Sequence, residues 1–124
     1  MPAKYLYIKN MDYSNQKNKT IILKSARKVR QISIENIVYI SCDSYLISVH
    51  FFNQKNPEIF SKSLKDIEKE LSGFHFLRIN RNELINMRYF KSYHDNGSKK
   101  ITLSTGITLS ISRRKWATIK NYFL

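Results

Sequence analysis

The sequence predicts a mostly β protein, an elongated arrangement of small antiparallel sheets with one or two short helices. Short segments rich in β-branched and aromatic residues follow one another closely, which is typical of strands. Turn-forming Asn, Asp, Ser and Gly residues separate these segments, and apolar residues recur at helical spacing in only two places. The chain has 124 residues, 42% of them hydrophobic, which is enough for one domain with a core.

Residues 1–19 are expected to form an N-terminal arm, partly extended or flexible, ahead of a single domain at residues 20–124. The arm is polar except for Tyr5-Leu6-Tyr7-Ile8, an alternation that would suit one edge strand. In the first half of the domain, β-branched segments bounded by turn residues predict strands at 20–24, 28–32, 37–42, 45–52 and 58–62.

A short helix is predicted after the fifth strand of the domain. Ser63 can cap its N-terminus, with Asp66 three residues later as in a capping box, and Gly73 follows where helices commonly end. The apolar residues of this segment recur at helical spacing, namely Leu64, Ile67 and Leu71. Because the helix carries most of the acidic residues of the middle third, we expect it to support the sheet rather than to bind a polyanion.

The second half predicts two more strands, a hairpin and a C-terminal helix. Strands are expected at 74–79 and around 88–93, separated by a polar turn at Asn80-Arg81-Asn82 and an apolar stretch at 84–87. Alternating apolar and hydroxyl residues over 101–111 predict a hairpin with a two-residue loop at Thr105-Gly106. Ser112 can cap a helix over 113–124, whose apolar face would hold Trp116, Ile119 and Phe123.

Positive charge is the strongest feature of the composition. Twenty-two Lys and Arg against nine Asp and Glu give a net charge of +13. The balance is +6 over residues 1–36, −1 over 37–77 and +8 over 78–124, which indicates basic patches rather than a uniform coat. Such patches attract polyanions, with nucleic acid the first choice and an anionic membrane surface the second. A solvated basic surface without a partner is the alternative, and charge alone does not separate DNA from RNA.

The residues give little support to catalysis, a metal site or a cofactor, so we expect none of them. His50, His75 and His94 lie in different predicted elements without ligands at metal-binding spacing. The single cysteine, Cys42, is in phase with Ile40 on an apolar strand face, where it is better interpreted as a small core residue than as a nucleophile. The sequence has neither a signal peptide nor an apolar run of about 20 residues, so the cytoplasm is the expected compartment.

Four segments, in order, resemble the LytTR DNA-binding domain of the LytR/AgrA family of bacterial transcriptional regulators. They are residues 34–45, the helix start Ser63-Leu64-Lys65-Asp66-Ile67-Glu68, residues 76–86 and residues 107–115. The resemblance extends from about Thr20 to the C-terminus and implies the same β-rich fold. It also implies sequence-specific binding of double-stranded DNA, with loops rather than a recognition helix inserted into successive grooves at paired direct repeats.

The resemblance also implies which side chains contact DNA. The base-contacting positions are Ser44 or Tyr45, Arg81 and Arg113, and the candidates for backbone contacts are Ser63, Arg78, Asn82, Ser112, Arg114 and Lys115. An arginine can donate two hydrogen bonds to guanine, which makes the arginine assignments reasonable. The alternatives are a solvated charge run at 113–115, an Arg81–Glu83 pair in a turn, burial of Tyr45 in the core, and a structural ion pair for Arg78.

The sequence departs from the family pattern in its turns and its length. Asn80, Asn82 and Ser44 stand where the family often has His, Ser and Gly, which affects loop shape. Nineteen residues are too few for a receiver domain, so a stand-alone regulator is expected, or one whose input comes from a separate sensory or receiver partner. Self-association on direct repeats is a further expectation. Two other functions stay open: a non-specific or RNA-binding basic β-domain, and an interaction module that antagonises a related regulator.

Overall fold

The computed structural model describes residues 12–124, whose strands form three antiparallel sheets. The strands are β1 (Thr20–Lys24), β2 (Val29–Ser33), β3 (Ile37–Asp43), β4 (Leu46–Phe51), β5 (Glu58–Ser61), β6 (Phe76–Asn80), β7 (Glu83–Asn86), β8 (Phe90–Asp95), β9 (Lys99–Leu103) and β10 (Thr108–Ser110). The central sheet has the order β5-β4-β3-β7-β6, β1 pairs with β2 in a ribbon, and β10-β9-β8 form the third sheet. Two short helices, α1 (Leu64–Glu70) and α2 (Arg113–Ile119), complete the predicted fold class.

The central sheet has a hydrophobic core on each of its faces. Leu84 and Ile85 are neighbours on β7 and therefore point to opposite faces, and each is fully buried. On the Leu84 face, side chains of the β1–β2 ribbon, of α1 and of its C-cap Leu71 pack against the sheet, among them Leu23, Ile32, Leu64 and Ile67. On the Ile85 face, the third sheet and the C-terminal segment provide Ile101, Leu103, Ile111, Ile119 and Phe123.

Both helices begin at the serines that the sequence predicts as caps. The Ser63 Oγ accepts the backbone N–H of Asp66 at 3.1 Å, and the Ser112 Oγ accepts that of Lys115 at 3.1 Å. Each cap satisfies one of the N–H groups that a helix start leaves without an intrahelical partner. Helix α2 is shorter than predicted, because the chain tightens into a 3-10 turn at Lys120–Tyr122.

The predicted two-residue hairpin loop is wrong by one residue. Leu103 N–H donates to the Ile107 carbonyl at 2.8 Å, so the loop between β9 and β10 contains residues 104–106. Gly106 closes it with a φ of +95°, a left-handed conformation that glycine adopts easily and that such three-residue loops require. The strand predicted from Arg88 begins at Phe90, because the Asn86 Oδ1 accepts the N–H of Arg88 and starts a 3-10 turn.

Residues 12–19 fall in the segment expected to be an arm, whereas the edge strand expected at residues 5–8 lies outside the described residues. Ser14–Gln16 forms a 3-10 turn, and the Gln16 side chain is fully buried. The Gln16 amide donates to the Phe74 carbonyl at 2.7 Å and to the Asn86 Oδ1 at 2.9 Å. The Asn86 amide in turn donates to the Ile37 carbonyl at 2.8 Å, so a satisfied polar network ties residues 12–19 to the central sheet.

Candidate nucleic-acid interface

The register of the central sheet brings the expected contact segments to one of its ends. Ser41 pairs with Glu83, so the turn after β3 lies beside the turn between β6 and β7. Leu46 pairs with Ser61, which places the start of α1 at the same end. We call this end the turn edge and define it as residues 43–46, 62–63, 80–82 and 112–115. At about 4.8 Å between strands, the four strand intervals from β5 to β6 span roughly 19 Å.

Hydrogen bonds connect neighbouring segments of the turn edge. The Cys42 N–H donates to the Asn82 carbonyl at 2.9 Å, which ties the β3–β4 turn to the β6–β7 turn. The Asn80 Nδ2 donates to the Ser110 carbonyl at 2.7 Å, and the Ser112 N–H donates to the Ile79 carbonyl at 3.0 Å. These bonds connect the β6–β7 turn to the start of α2. The three segments are therefore held in a fixed order along one edge.

Tyr45 is the most exposed large hydrophobic residue that the structure describes, with 88% of its surface accessible. It occupies the second position of the β3–β4 turn, and it is not buried in the core, which was the alternative considered from the sequence. Ser44 before it has a φ of +58°, in the left-handed region. A side chain there costs roughly 1–2 kcal/mol, whereas glycine adopts it freely. This geometry explains why a glycine suits the position at which this sequence has Ser44.

Arg81 is exposed at the tip of the β6–β7 turn. Arg81 does not pair with Glu83, which was the alternative considered from the sequence. The Glu83 Oε1 instead accepts a hydrogen bond from the Asn80 side-chain amide at 2.7 Å. The Asn80 Oδ1 accepts the Asn82 N–H at 2.8 Å, a side-chain bond that closes the turn. The turn is thus ordered by its asparagines, and the arginine side chain is left to the solvent.

Arg78 is held inside the protein by three acceptors. Its Nη1 donates to the Glu68 Oε1 of α1 at 2.8 Å, its Nε to the Asn80 carbonyl at 2.9 Å, and its Nη2 to the Arg81 carbonyl at 2.5 Å. Only 16% of its side-chain surface is accessible. Arg78 therefore makes the structural ion pair that the sequence offered as the alternative to a phosphate contact.

A cationic cleft separates the β6–β7 turn from α2. Its volume is about 840 Å³. Among the described residues, its walls are formed by Arg78, Arg81, Ser112, Arg114, Lys115 and Thr118, none of which carries a carboxylate. Arg113, to which the resemblance assigns the base contact, is exposed but does not line the cleft, whereas Arg114 does. Helical spacing could have indicated which arginine faces the cleft, because residues three or four apart lie on the same side of a helix. Arg114 lies four residues before Thr118 of the cleft, whereas Arg113 lies three residues before Trp116, which packs against the core.

Exposed aromatic residues do not form a stacking platform within residues 12–124. Tyr45 lies in the β3–β4 turn, Phe52 follows β4 at the opposite end of the sheet, and Tyr122 belongs to the C-terminal 3-10 turn. Proteins that bind single-stranded RNA commonly stack bases on aromatic side chains grouped on one surface. The described surface lacks such a group.

The thiol of Cys42, weighed above as a nucleophile, does not meet the imidazole of His50, which could otherwise serve as its base. Ile40 is paired with Val49 and Tyr39 with His50, so Cys42 shares a face with Ile40 while His50 lies on the other face. The Cys42 side chain packs against the first core, and the His50 ring stacks on Tyr39 with centroids 4.0 Å apart. Burial lowers the pKa of His50 below its ordinary value.

Residues 12–124 contain neither a candidate metal site nor a candidate membrane span. No cluster of three or more His, Cys, Asp or Glu side chains there could hold a metal ion. Within the same residues, no helix combines the length and apolar character needed to cross a membrane.

Comparison with known proteins identifies one family. Residues 27–123 match the family model described as the LytTr DNA-binding domain. A similar solved structure is described as the LytTr DNA-binding domain of a proposed methyl-accepting/DNA response regulator from Bacillus cereus. It aligns with a TM-score of 0.70 and 14% identity over 86% of this chain and 99% of that chain. At this identity, the likeness shows a shared fold. None of the curated proteins matches the sequence.

Proposed function

The chain belongs to the family of LytTr DNA-binding domains, and we propose that it regulates transcription by reading double-stranded DNA sequence-specifically with the turn edge. The observation that carries this proposal is the juxtaposition of Tyr45, Arg81 and the start of α2 along one end of the central sheet. Turns of this kind are narrow enough to enter a groove, and fixed bonds between them would set the spacing of their contacts.

Base reading falls to the exposed side chains of the turn edge. We assign it to Arg81, to Tyr45 with its neighbour Ser44, and to one arginine at the start of α2. An arginine that donates twice to guanine O6 and N7 contributes about 1–3 kcal/mol of discrimination against other bases. The shared cleft supports Arg114 as the arginine that acts beside Arg81, whereas the family resemblance favours Arg113.

Phosphate contacts fall to the remaining polar groups of the turn edge. Lys115, together with the absence of carboxylates among the described residues of the cleft, supports a site for a backbone phosphate between the β6–β7 turn and α2. Ser112, Asn82 and Ser63 add hydroxyl and amide groups at the same edge, where such side chains commonly fix the register of a protein on the duplex. We further propose that two copies bind adjacent direct repeats.

Selection of bound sequences from a random duplex pool, with single-stranded RNA as competitor, tests the proposal. We expect a motif that occurs twice in the same orientation, bound by two copies of the protein. Retention of all sequences alike, or displacement of the duplexes by the RNA, would contradict sequence-specific DNA binding.

A pair of matched variants distinguishes the roles of Arg113 and Arg114 in DNA binding. Arg114→Ala is expected to lose about 10-fold or more in affinity for the selected site and to relax one base preference, because a bidentate contact is removed. Arg113→Ala is expected to weaken all duplexes by a similar, smaller factor. The opposite pattern in binding measurements would return the base contact to Arg113.

A further inference from the structure

Arg78 connects helix α1 to the backbone of the turn that carries Arg81. One nitrogen of its guanidinium is paired with Glu68 at 2.8 Å, and the other two donate to the carbonyls of Asn80 and Arg81 at 2.9 and 2.5 Å. We call this arrangement the Arg78 clamp. The planar guanidinium presents its donors in a fixed fork, so one residue can hold three acceptors in a set geometry.

The two carbonyls belong to the peptide groups on either side of the Arg81 Cα. Each peptide group is planar, and the backbone has only two soft dihedrals per residue. Hydrogen bonds to both carbonyl oxygens therefore restrain the two planes, and with them φ and ψ of Arg81 and the direction of its Cα–Cβ bond. The clamp acts on the one residue of the turn whose side chain is free.

Glu68 completes the clamp from outside the turn. It lies on α1, and its carboxylate opposes the guanidinium charge, so Arg78 keeps its position without a phosphate. Arg78 borders the cleft, but each nitrogen of its guanidinium already donates within the protein, so it is better suited to hold the turn than to contact DNA.

We propose that Arg78 and Glu68 are positioning residues that aim the Arg81 side chain at its base pair before DNA arrives. The inference rests on the proposed function. Preorganisation of this kind raises specific affinity, because an arginine on a loose turn must lose more conformational freedom on binding. The clamp would therefore affect base discrimination rather than general attraction to DNA.

Arg78→Lys is the sharpest test, because it preserves the charge and removes the fork. Arg81→Ala first identifies the base pair at which the protein discriminates through Arg81. At that base pair, Arg78→Lys is expected to lose about 5- to 10-fold in discrimination between the selected base and the others, with the affinity for non-specific duplex and the salt slope unchanged. Arg88→Lys, the same change at an exposed residue at the opposite end of β7, serves as the control and should match the wild type.

Discrimination by Arg78→Lys equal to that of the wild type would overturn the positioning role. If Arg78→Lys instead lowers the affinity for all duplexes and the salt slope together, Arg78 contacts phosphate and the inference is wrong. If Arg81→Ala leaves every base preference intact, base reading by Arg81 fails, and the inference falls with it while DNA binding by the protein stands.

A second pair of variants tests the Glu68 side of the clamp, including the case in which Arg78→Lys does not fold. Glu68→Gln and Glu68→Ala have the same charge, but only glutamine retains an oxygen that can accept from Arg78. We expect Glu68→Ala to lose about 3-fold or more in discrimination at the Arg81 base pair and Glu68→Gln to retain most of it. Equal behaviour of the two variants would show that only the charge of Glu68 matters, and would contradict the clamp.

Discussion

Tyr45 and Arg81 are exposed side chains on turns whose backbones are tightly held. Ser44 takes a left-handed conformation before Tyr45, and the Asn80 side chain closes the turn around Arg81. A large aromatic side chain exposed to 88% contributes little to folding. It is free to make the DNA contact that we propose for it.

Tyr45→Ala should separate binding from stability. We expect the free energy of unfolding to change by less than about 0.5 kcal/mol, because the side chain is on the surface. Affinity for the selected duplex should fall about 5-fold or more, the scale of one lost hydrogen bond, in a fluorescence anisotropy titration. Tyr45→Phe serves as the matched variant and shows whether the hydroxyl or the ring is responsible. Unchanged affinity in Tyr45→Ala would remove the residue from the interface.

His50 should make stability depend on pH in a defined direction. Burial lowers its pKa in the folded protein below the unfolded value of about 6.5. The unfolded state therefore binds more protons as the pH falls through 6.5, and the free energy of unfolding should decrease there. Well above that pH both states are neutral, so the residue contributes no pH dependence.

Chemical denaturation of wild type and His50→Phe at several pH values measures this contribution. Phenylalanine preserves an aromatic ring against Tyr39, which lies 4.0 Å from the histidine ring, and cannot titrate. The variant should lose less stability than the wild type between pH 7.5 and 5. Parallel pH profiles for the two proteins would show that His50 does not titrate differently in the folded state.

At the scale of elements, local sequence signals predict most strands and both helix starts. They miss β7, because the residues at 84–87 were expected only as an apolar stretch before the next strand. Ser63 and Ser112 are caps, as predicted, because a cap depends on residues only three positions apart. The length of the β9–β10 loop was not predictable, since a shift of one residue at Gly106 depends on which strands pair. The Arg78 clamp was equally hidden, because it requires α1 to pack beside β6, and periodicity does not specify which elements meet.

Helix α2 is attached to the third sheet through Trp116. The indole stacks on Tyr93 with centroids 5.3 Å apart, lies 6.3 Å from the Phe123 ring, and has the Lys99 ammonium 5.2 Å from its centroid. This cluster fixes the helix that brings Arg114 and Lys115 to the cleft.

Trp116→Ala should therefore affect stability and DNA binding together. We expect a loss of about 2 kcal/mol in the free energy of unfolding, less than for a fully buried indole because Trp116 is half-buried. Urea denaturation followed by circular dichroism measures the loss, and binding should weaken on every duplex. The control Tyr122→Ala, at an aromatic residue with 40% of its surface accessible in the same C-terminal segment, should lose less than about half as much stability. Equal losses in the two variants would contradict a specific anchoring role for Trp116.

At the scale of the whole molecule, a net charge of +13 indicates that the partner is a polyanion but does not show which part of the protein binds that partner. The two basic thirds of the sequence predict basic patches. In the cleft, Arg78 and Arg81 lie close to Arg114 and Lys115, which are more than thirty positions away in the sequence. The family resemblance indicates which segments are expected to contact DNA, and the sheet register explains why these segments are neighbours. Which arginine of α2 faces the cleft follows from the helical phase relative to Trp116, a signal in the sequence that the family resemblance does not use.

Lys115→Ala should reduce the salt dependence of DNA binding. Each phosphate neutralised by the protein adds about 0.9 to the slope of log affinity against log salt concentration. We expect the slope to fall by about one, with a similar loss of affinity on all sequences. Lys55→Ala, at an exposed lysine in the turn after β4 at the opposite end of the sheet, should leave the slope unchanged. Equal slopes for wild type and Lys115→Ala would place Lys115 away from the phosphates.

The most direct test of the central claim is a map of backbone amide shifts on titration of the ¹⁵N-labelled protein with a selected duplex. The turn edge predicts that the largest shifts fall at residues 43–46, 62–63, 80–82 and 112–115. Amides of the β1–β2 turn and of residues 52–57, at the opposite end of β4, should change little. Largest shifts at those distant turns, with the turn edge unaffected, would contradict the assignment of DNA reading to the turn edge.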